Sequence, residues 1–155
     1  MGFLGDIERA LGVWYKDPDD SPDDTNPQVA LAFRKYVIDR LGDSFSVTER
    51  DLTVGEPDLS VVRKSDGEIF YLITCYRSQM FVGEDTEAYL PWTSEETYLK
   101  YFDFVKDTTC FVIIGLHGYA DVPKFVFAVP LGEASVDLKK STLAEFEKGK
   151  KDRLI

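Results

Sequence analysis

Cysteine is scarce in this chain, and histidine scarcer. Two cysteines, Cys75 and Cys110, and one histidine, His117, stand in 155 residues. Two thiols cannot build a disulfide framework, and without clustered histidines they do not make a zinc site. Each cysteine lies in an apolar, strand-like run, which predicts buried, inert thiols. Long apolar runs are missing too. Phe111 to Leu116 is among the longest, far short of the ~20 residues needed to span a bilayer. Residues 1–15 carry Asp6, Glu8 and Arg9 and lack a signal peptide's apolar core, so a soluble, cytoplasmic protein is expected. Cations are outnumbered as well, with 18 Lys+Arg against 28 Asp+Glu and a net charge of −10. That balance works against broad binding to nucleic-acid phosphates and against docking on an anionic membrane.

What the chain does have is a core. Apolar residues make up 44% and aromatics 14%, too much for disorder. The length suits one domain that needs no disulfide or metal to fold. The acidity is uneven. Asp17, Asp19, Asp20, Asp23 and Asp24 crowd one eight-residue stretch with Pro18 and Pro22, which reads as a solvated loop. A calcium loop is the sharper reading, but the glycine and bidentate Glu of an EF-hand are absent. Towards the C-terminus the sign reverses. Lys139, Lys140, Lys148, Lys150, Lys151 and Arg153 outnumber Glu145, Glu147 and Asp152, so a local basic end stays available to an anion.

The organisation reads as residues 1–25, a short helix over 5–15 and the acidic loop; 26–148, the folded domain; and 149–155, a basic tail. Asn26-Pro27 starts a helix whose Val29, Ala30, Phe33, Val37 and Leu41 share one face, and Gly42 ends it. Strands follow over 45–53, 59–62 and 68–77, the last two joined by the Asp66-Gly67 hairpin signal. Residues 82–92 read as a loop, with Trp92 as a surface-recognition candidate. Ser94-Glu95-Glu96 opens a second helix to about Lys106, whose Tyr98, Tyr101, Phe102 and Phe104 are expected in the core. Strands over 110–116 and 125–129 and a short helix over 141–148 complete the order. The third and fourth strands should be parallel across the helical crossover.

The pieces Phe33-Arg34-Lys35-Tyr36-Val37, Glu56-Pro57-Asp58-Leu59, Tyr71 to Ser78, Tyr98 to Phe104, Val112 to Gly118 and Phe125 to Leu131, in this order, resemble the PD-(D/E)xK nuclease superfamily. The resemblance covers roughly residues 29–148. It implies a single α/β domain of restriction-endonuclease-like fold, a mixed sheet of about four to five strands flanked by helices. In active members two acids hold Mg²⁺ and a Lys positions the attacking water. The metal neutralises charge developing on the phosphate and supplies a hydroxide.

The match breaks at the positions that carry this chemistry. Asp58 fits the first acid. The second acid falls on Thr74, the Lys on Tyr76, and a helical Glu on Arg34. A shifted register would offer Arg77 as the cation, but on the other face of the sheet. Glu68 is about 20 Å from Thr74 along a strand. Glu56 is a weak second metal ligand beside Asp58, or simply flanks Pro57 at a strand entrance. Glu95 or Glu96 could add an acid, though pairing with the helix dipole explains them. His117, at a strand end, is a further candidate, set against a structural role.

The leading expectation is a PD-(D/E)xK-like protein that is catalytically inactive or nearly so, serving as a binding or structural module. Its partner is expected to be a protein, with nucleic acid possible but less favoured and no membrane. One alternative is an atypical Mg²⁺-dependent DNA endonuclease, a phosphodiesterase using Asp58 with a migrated carboxylate. Mg²⁺ is expected only in that case. The other alternative is a small-molecule or protein binder on the same sheet.

Overall fold

The computed structural model describes residues 26–82 and 87–155. The expected helix over 5–15, the acidic loop over 17–24 and the acids Glu84 and Asp85 lie outside them.

Helix α1 (Pro27–Leu41) starts where expected: the Asn26 side chain accepts the backbone N–H of Gln28 at 2.8 Å, with Pro27 in the first turn. A 3₁₀ turn (Gly42–Ser44) leads into β1 (Phe45–Glu49), then β2 (Leu59–Arg63) and β3 (Ile69–Arg77). β1 is shorter than the alternation suggested. Between β2 and β3, Gly67 has φ +74°, the left-handed geometry such a turn requires. β4 (Tyr89–Pro91) precedes α2 (Glu95–Val105), capped by Ser94. Next come β5 (Thr109–Tyr119), β6 (Val122–Pro130), a 3₁₀ turn (Leu131–Glu133), β7 (Asp137–Lys139), α3 (Lys140–Glu145) and β8 (Glu147–Lys148).

One mixed sheet of six strands, ordered β1-β2-β3-β5-β6-β8, forms the centre. β3 and β5 are parallel, as the crossover through α2 demands, and the other pairs are antiparallel. The expectation of four to five strands is corrected to six by the two-residue β8. β4 and β7 form a separate two-stranded ribbon.

Strand alternation sorts the core into two layers. Leu59, Val61, Phe70, Leu72, Tyr76, Ile113 and Val126 face α1 through Phe33, Val37 and Leu41. Ile73, Cys75, Cys110, Val112, Ile114 and Phe127 face the other way, towards Trp92, Val105, Leu90 and Leu138. Gly115 lets α1 lie close: a Cβ there would sit 2.5 Å from the Phe33 ring. Both cysteines are buried, and burial pushes the Cys110 thiol up to about 12.

Three local expectations are corrected. Trp92 is 5% exposed, with Nε1 donating to the Ser135 carbonyl at 2.6 Å and its ring stacked on Tyr101. Its large apolar face is worth more in the core than in water. Phe102 is exposed, whereas its helix neighbours Tyr98, Tyr101 and Phe104 are partly buried against the core. The segment after 148 is no free tail: Leu154 is 3% exposed and packs in the α1 layer, while Arg40 donates to the carbonyls of Gly149 and Asp152.

Candidate functional site

The centre of the site is Asp58, at the entrance to β2. The residue is 6% exposed. Oδ1 accepts the Thr74 backbone N–H at 2.8 Å, and Oδ2 accepts the Thr74 hydroxyl at 2.5 Å. Burial pushes the carboxyl above its ordinary range; the two Thr74 bonds and the charge of Arg34 pull the other way. A buried carboxylate needs such partners, because an unpaired charge there is costly. β3 places Thr74 there by antiparallel pairing with β2, in which Leu59 stands opposite Leu72.

Tyr76 lies two residues further on, on the α1 side of the sheet. Its hydroxyl donates to the Gly118 carbonyl at 2.8 Å, with the His117 carbonyl at 3.3 Å, and its ring lies against Phe33. The hydroxyl is therefore anchored to the end of β5 opposite Gly115. Arg77 points to the other face, as alternation requires. Its guanidinium donates to the carbonyls of Tyr76, Pro91 and Trp92 and braces the end of β4.

Arg34 projects from α1. Its Nη1 donates to the Arg50 carbonyl at 2.7 Å, and Nη2 is 3.4 Å from Glu49. Glu56 is engaged in an ion pair. Arg50 holds it, Nη2 to Oε1 at 2.8 Å, while Arg50 Nε donates to the Pro57 carbonyl. The same guanidinium lies 4.7 Å over the Phe104 ring, which adds cation–π attraction. Glu95 and Glu96 are exposed at the start of α2, and Glu96 pairs with Lys100.

His117 joins the site by its backbone, not by its ring. The ring is buried against Phe125, with Nδ1 2.7 Å from the Ser78 carbonyl. Burial lowers its pKa; the Ser78 carbonyl opposes this and Lys124 adds to it. His117 also has φ +58°, a conformation few side-chain-bearing residues adopt.

Three participants were not legible in the sequence as parts of this site. Tyr101 and Trp92 form one wall of a cleft of about 190 Å³ whose lining also includes Thr74, Tyr76, Val29 and Ala30. Burial raises the Tyr101 phenol well above its ordinary value, and the Asp58 charge raises it further. The helical spacing marks Tyr101 as core, but it carries no sign that the ring lines a cleft with Thr74. Arg50 left no signal, since nothing near it suggested a clamp.

The donor set does not fit a divalent metal. Mg²⁺ takes oxygen ligands in near-octahedral array, normally carboxylates and waters. Here both oxygens of Asp58 already accept hydrogen bonds, Glu56 is tied to Arg50, and Thr74 and Tyr76 offer neutral oxygens. Among the described residues no three His, Cys, Asp or Glu side chains gather as metal ligands.

A central mixed sheet flanked by helices, with this strand order, is a restriction-endonuclease-like fold. The 1.6 Å structure of Archaeoglobus fulgidus Hjc, a Holliday junction resolvase from an archaeal hyperthermophile, matches it with TM-score 0.51. That match spans 76% of this chain and 88% of the resolvase, at 12% identity. No protein-family model and no curated protein matches the chain. No helix among the described residues is long and apolar enough to cross a membrane.

Proposed function

We propose that this chain is a nuclease-fold protein whose cleavage centre has been closed, and that it acts as a binding module for a protein partner. The observation that carries the reading is the Thr74–Asp58 pair. A hydroxyl stands where the resemblance puts a second carboxylate, and it donates to the one acid that remains. Tyr76, at the lysine position, spends its hydroxyl on backbone carbonyls. Without a second carboxylate there is too little negative charge to hold Mg²⁺ over a phosphate, and without Lys there is no cation to poise a hydroxide. The net charge of −10 supports a protein partner over bare DNA.

The test is calorimetric titration with Mg²⁺, run beside cleavage assays on supercoiled, single-stranded and four-way-junction DNA. The expected result is no saturable Mg²⁺ binding and no cleavage. Mg²⁺-dependent cleavage that Asp58→Ala abolishes would overturn the reading in favour of an atypical endonuclease.

A further inference from the structure

The geometry points to a second site, at the end of the sheet remote from Asp58, that binds a nucleotide-sized organic phosphate. Strand β2 leaves Asp58 at one end and delivers Arg63 at the other, about 17 Å on. Around Arg63, where the end of α1, the start of β1 and the segment at 153–155 converge, lies a groove of about 760 Å³. That volume is typical of small-molecule sites. Arg40, Arg63, Lys64 and Arg153 line it, and no Asp or Glu side chain does. In a chain carrying ten more acids than bases, such a lining is a local reversal of sign.

The cations differ in availability. Arg40 is occupied by the Gly149 and Asp152 carbonyls, so it contributes field rather than donors. Lys64 and Arg153 are exposed and have no ion-pair partner among the described residues. Arg63 reaches Asp66 at 3.0 Å and Glu68 at 3.1 Å, but such exposed pairs are weak and a phosphate can displace them. Guanidinium and ammonium groups together match the fork and point-charge modes of phosphate binding. Ser44 and Ser65 add hydroxyls at the rim.

The remainder of the lining is apolar: Leu41, Phe45, Leu154 and Ile155. A bare inorganic anion would leave this surface unused. A phosphate carried on a flat apolar body uses both halves, with the base against Phe45 and the phosphates against Lys64 and Arg153. The acidity of the whole molecule disfavours a long polyanion, whose charge extends beyond the groove, more than a compact one. This site is independent of whether the Asp58 centre cleaves DNA.

Binding is measured with fluorescently labelled ADP by anisotropy, in EDTA to exclude metal, with inorganic phosphate, unlabelled adenosine and a twenty-nucleotide single strand as competitors. Saturable ADP binding is expected, with phosphate and adenosine each competing more weakly than ADP. Lys64→Glu combined with Arg153→Glu should weaken binding at least tenfold, while Asp58→Asn leaves it unchanged. Amide resonances of Phe45 and Leu154 in the wild-type protein should shift on ADP addition. The proposal fails if ADP does not saturate, if the folded double variant binds as well as wild type, if those resonances stay still, or if the oligonucleotide competes more strongly than ADP.

Discussion

The two ends of β2 were built by the same strand and treated oppositely. At the Asp58 end, a carboxylate is buried, both its oxygens accept bonds from Thr74, and the tyrosine nearby is pinned to backbone. At the Arg63 end, Lys64 and Arg153 stand exposed at an open groove, beside Arg40 and Arg63, which already hold partners within the protein. Burial converts a reactive side chain into a structural one, because its polar atoms must find partners within the protein. Exposure leaves charge free for a ligand.

Substitution should divide the two ends sharply. The largest loss is expected for Phe33→Ala, which removes the fully buried ring seated on Gly115 and against Tyr76. Chemical denaturation should report about 3–5 kcal/mol. Thr74→Val keeps the volume but removes the hydroxyl bond to Asp58, and should cost about 1–3 kcal/mol because a buried oxygen loses its donor. Tyr76→Phe gives up only the bonds to the Gly118 and His117 carbonyls, about 1 kcal/mol in the same assay. At the other end Lys64→Ala should fall within about 0.5 kcal/mol of wild type. Equal costs at Thr74 and Lys64 would erase the contrast.

The smallest effect sharpens it through pH. Burial holds the Asp58 carboxyl above its ordinary pKa of 3.8, so the folded state favours the neutral form. Below that ordinary value the group is neutral in both states and costs nothing. As pH rises through the raised folded value, stability is lost. Asp58→Asn removes the titration. The variant's Tm should therefore gain on wild type as pH climbs from about 3 to 7. A gap that narrows over this range would show that Thr74 and Arg34 outweigh burial.

Much of the fold could be read from the chain. The capped α1, the Asp66-Gly67 hairpin and the apolar run of β5 each carry a local signal, and the crossover rule supplied the parallel β3–β5 pair. The ribbon of β4 and β7 carried none. Three-residue strands have too little alternation to register, and their pairing joins Tyr89 to Lys139 across the whole second half of the domain. Trp92 is a related case. Its polar neighbours suggested surface, while its burial depends on the distant Ser135 and on Tyr101. At the site, the family resemblance points to Asp58, Thr74 and Tyr76. What Asp58 and Glu56 do with their charge was not legible, because Arg50 and Thr74 reach them only through folding.

The Leu154 contact sets the order of events during folding. Arg40 grips the Gly149 carbonyl across 109 residues of sequence, and Leu154 fills the same layer as Phe33 and Val37. Closing a loop of that span must be accomplished before its contacts yield anything in return. Until residues 149–155 are available to pack, α1 lacks part of its seat and the apolar layer stays incomplete, and that interval is when a chaperone would be needed most.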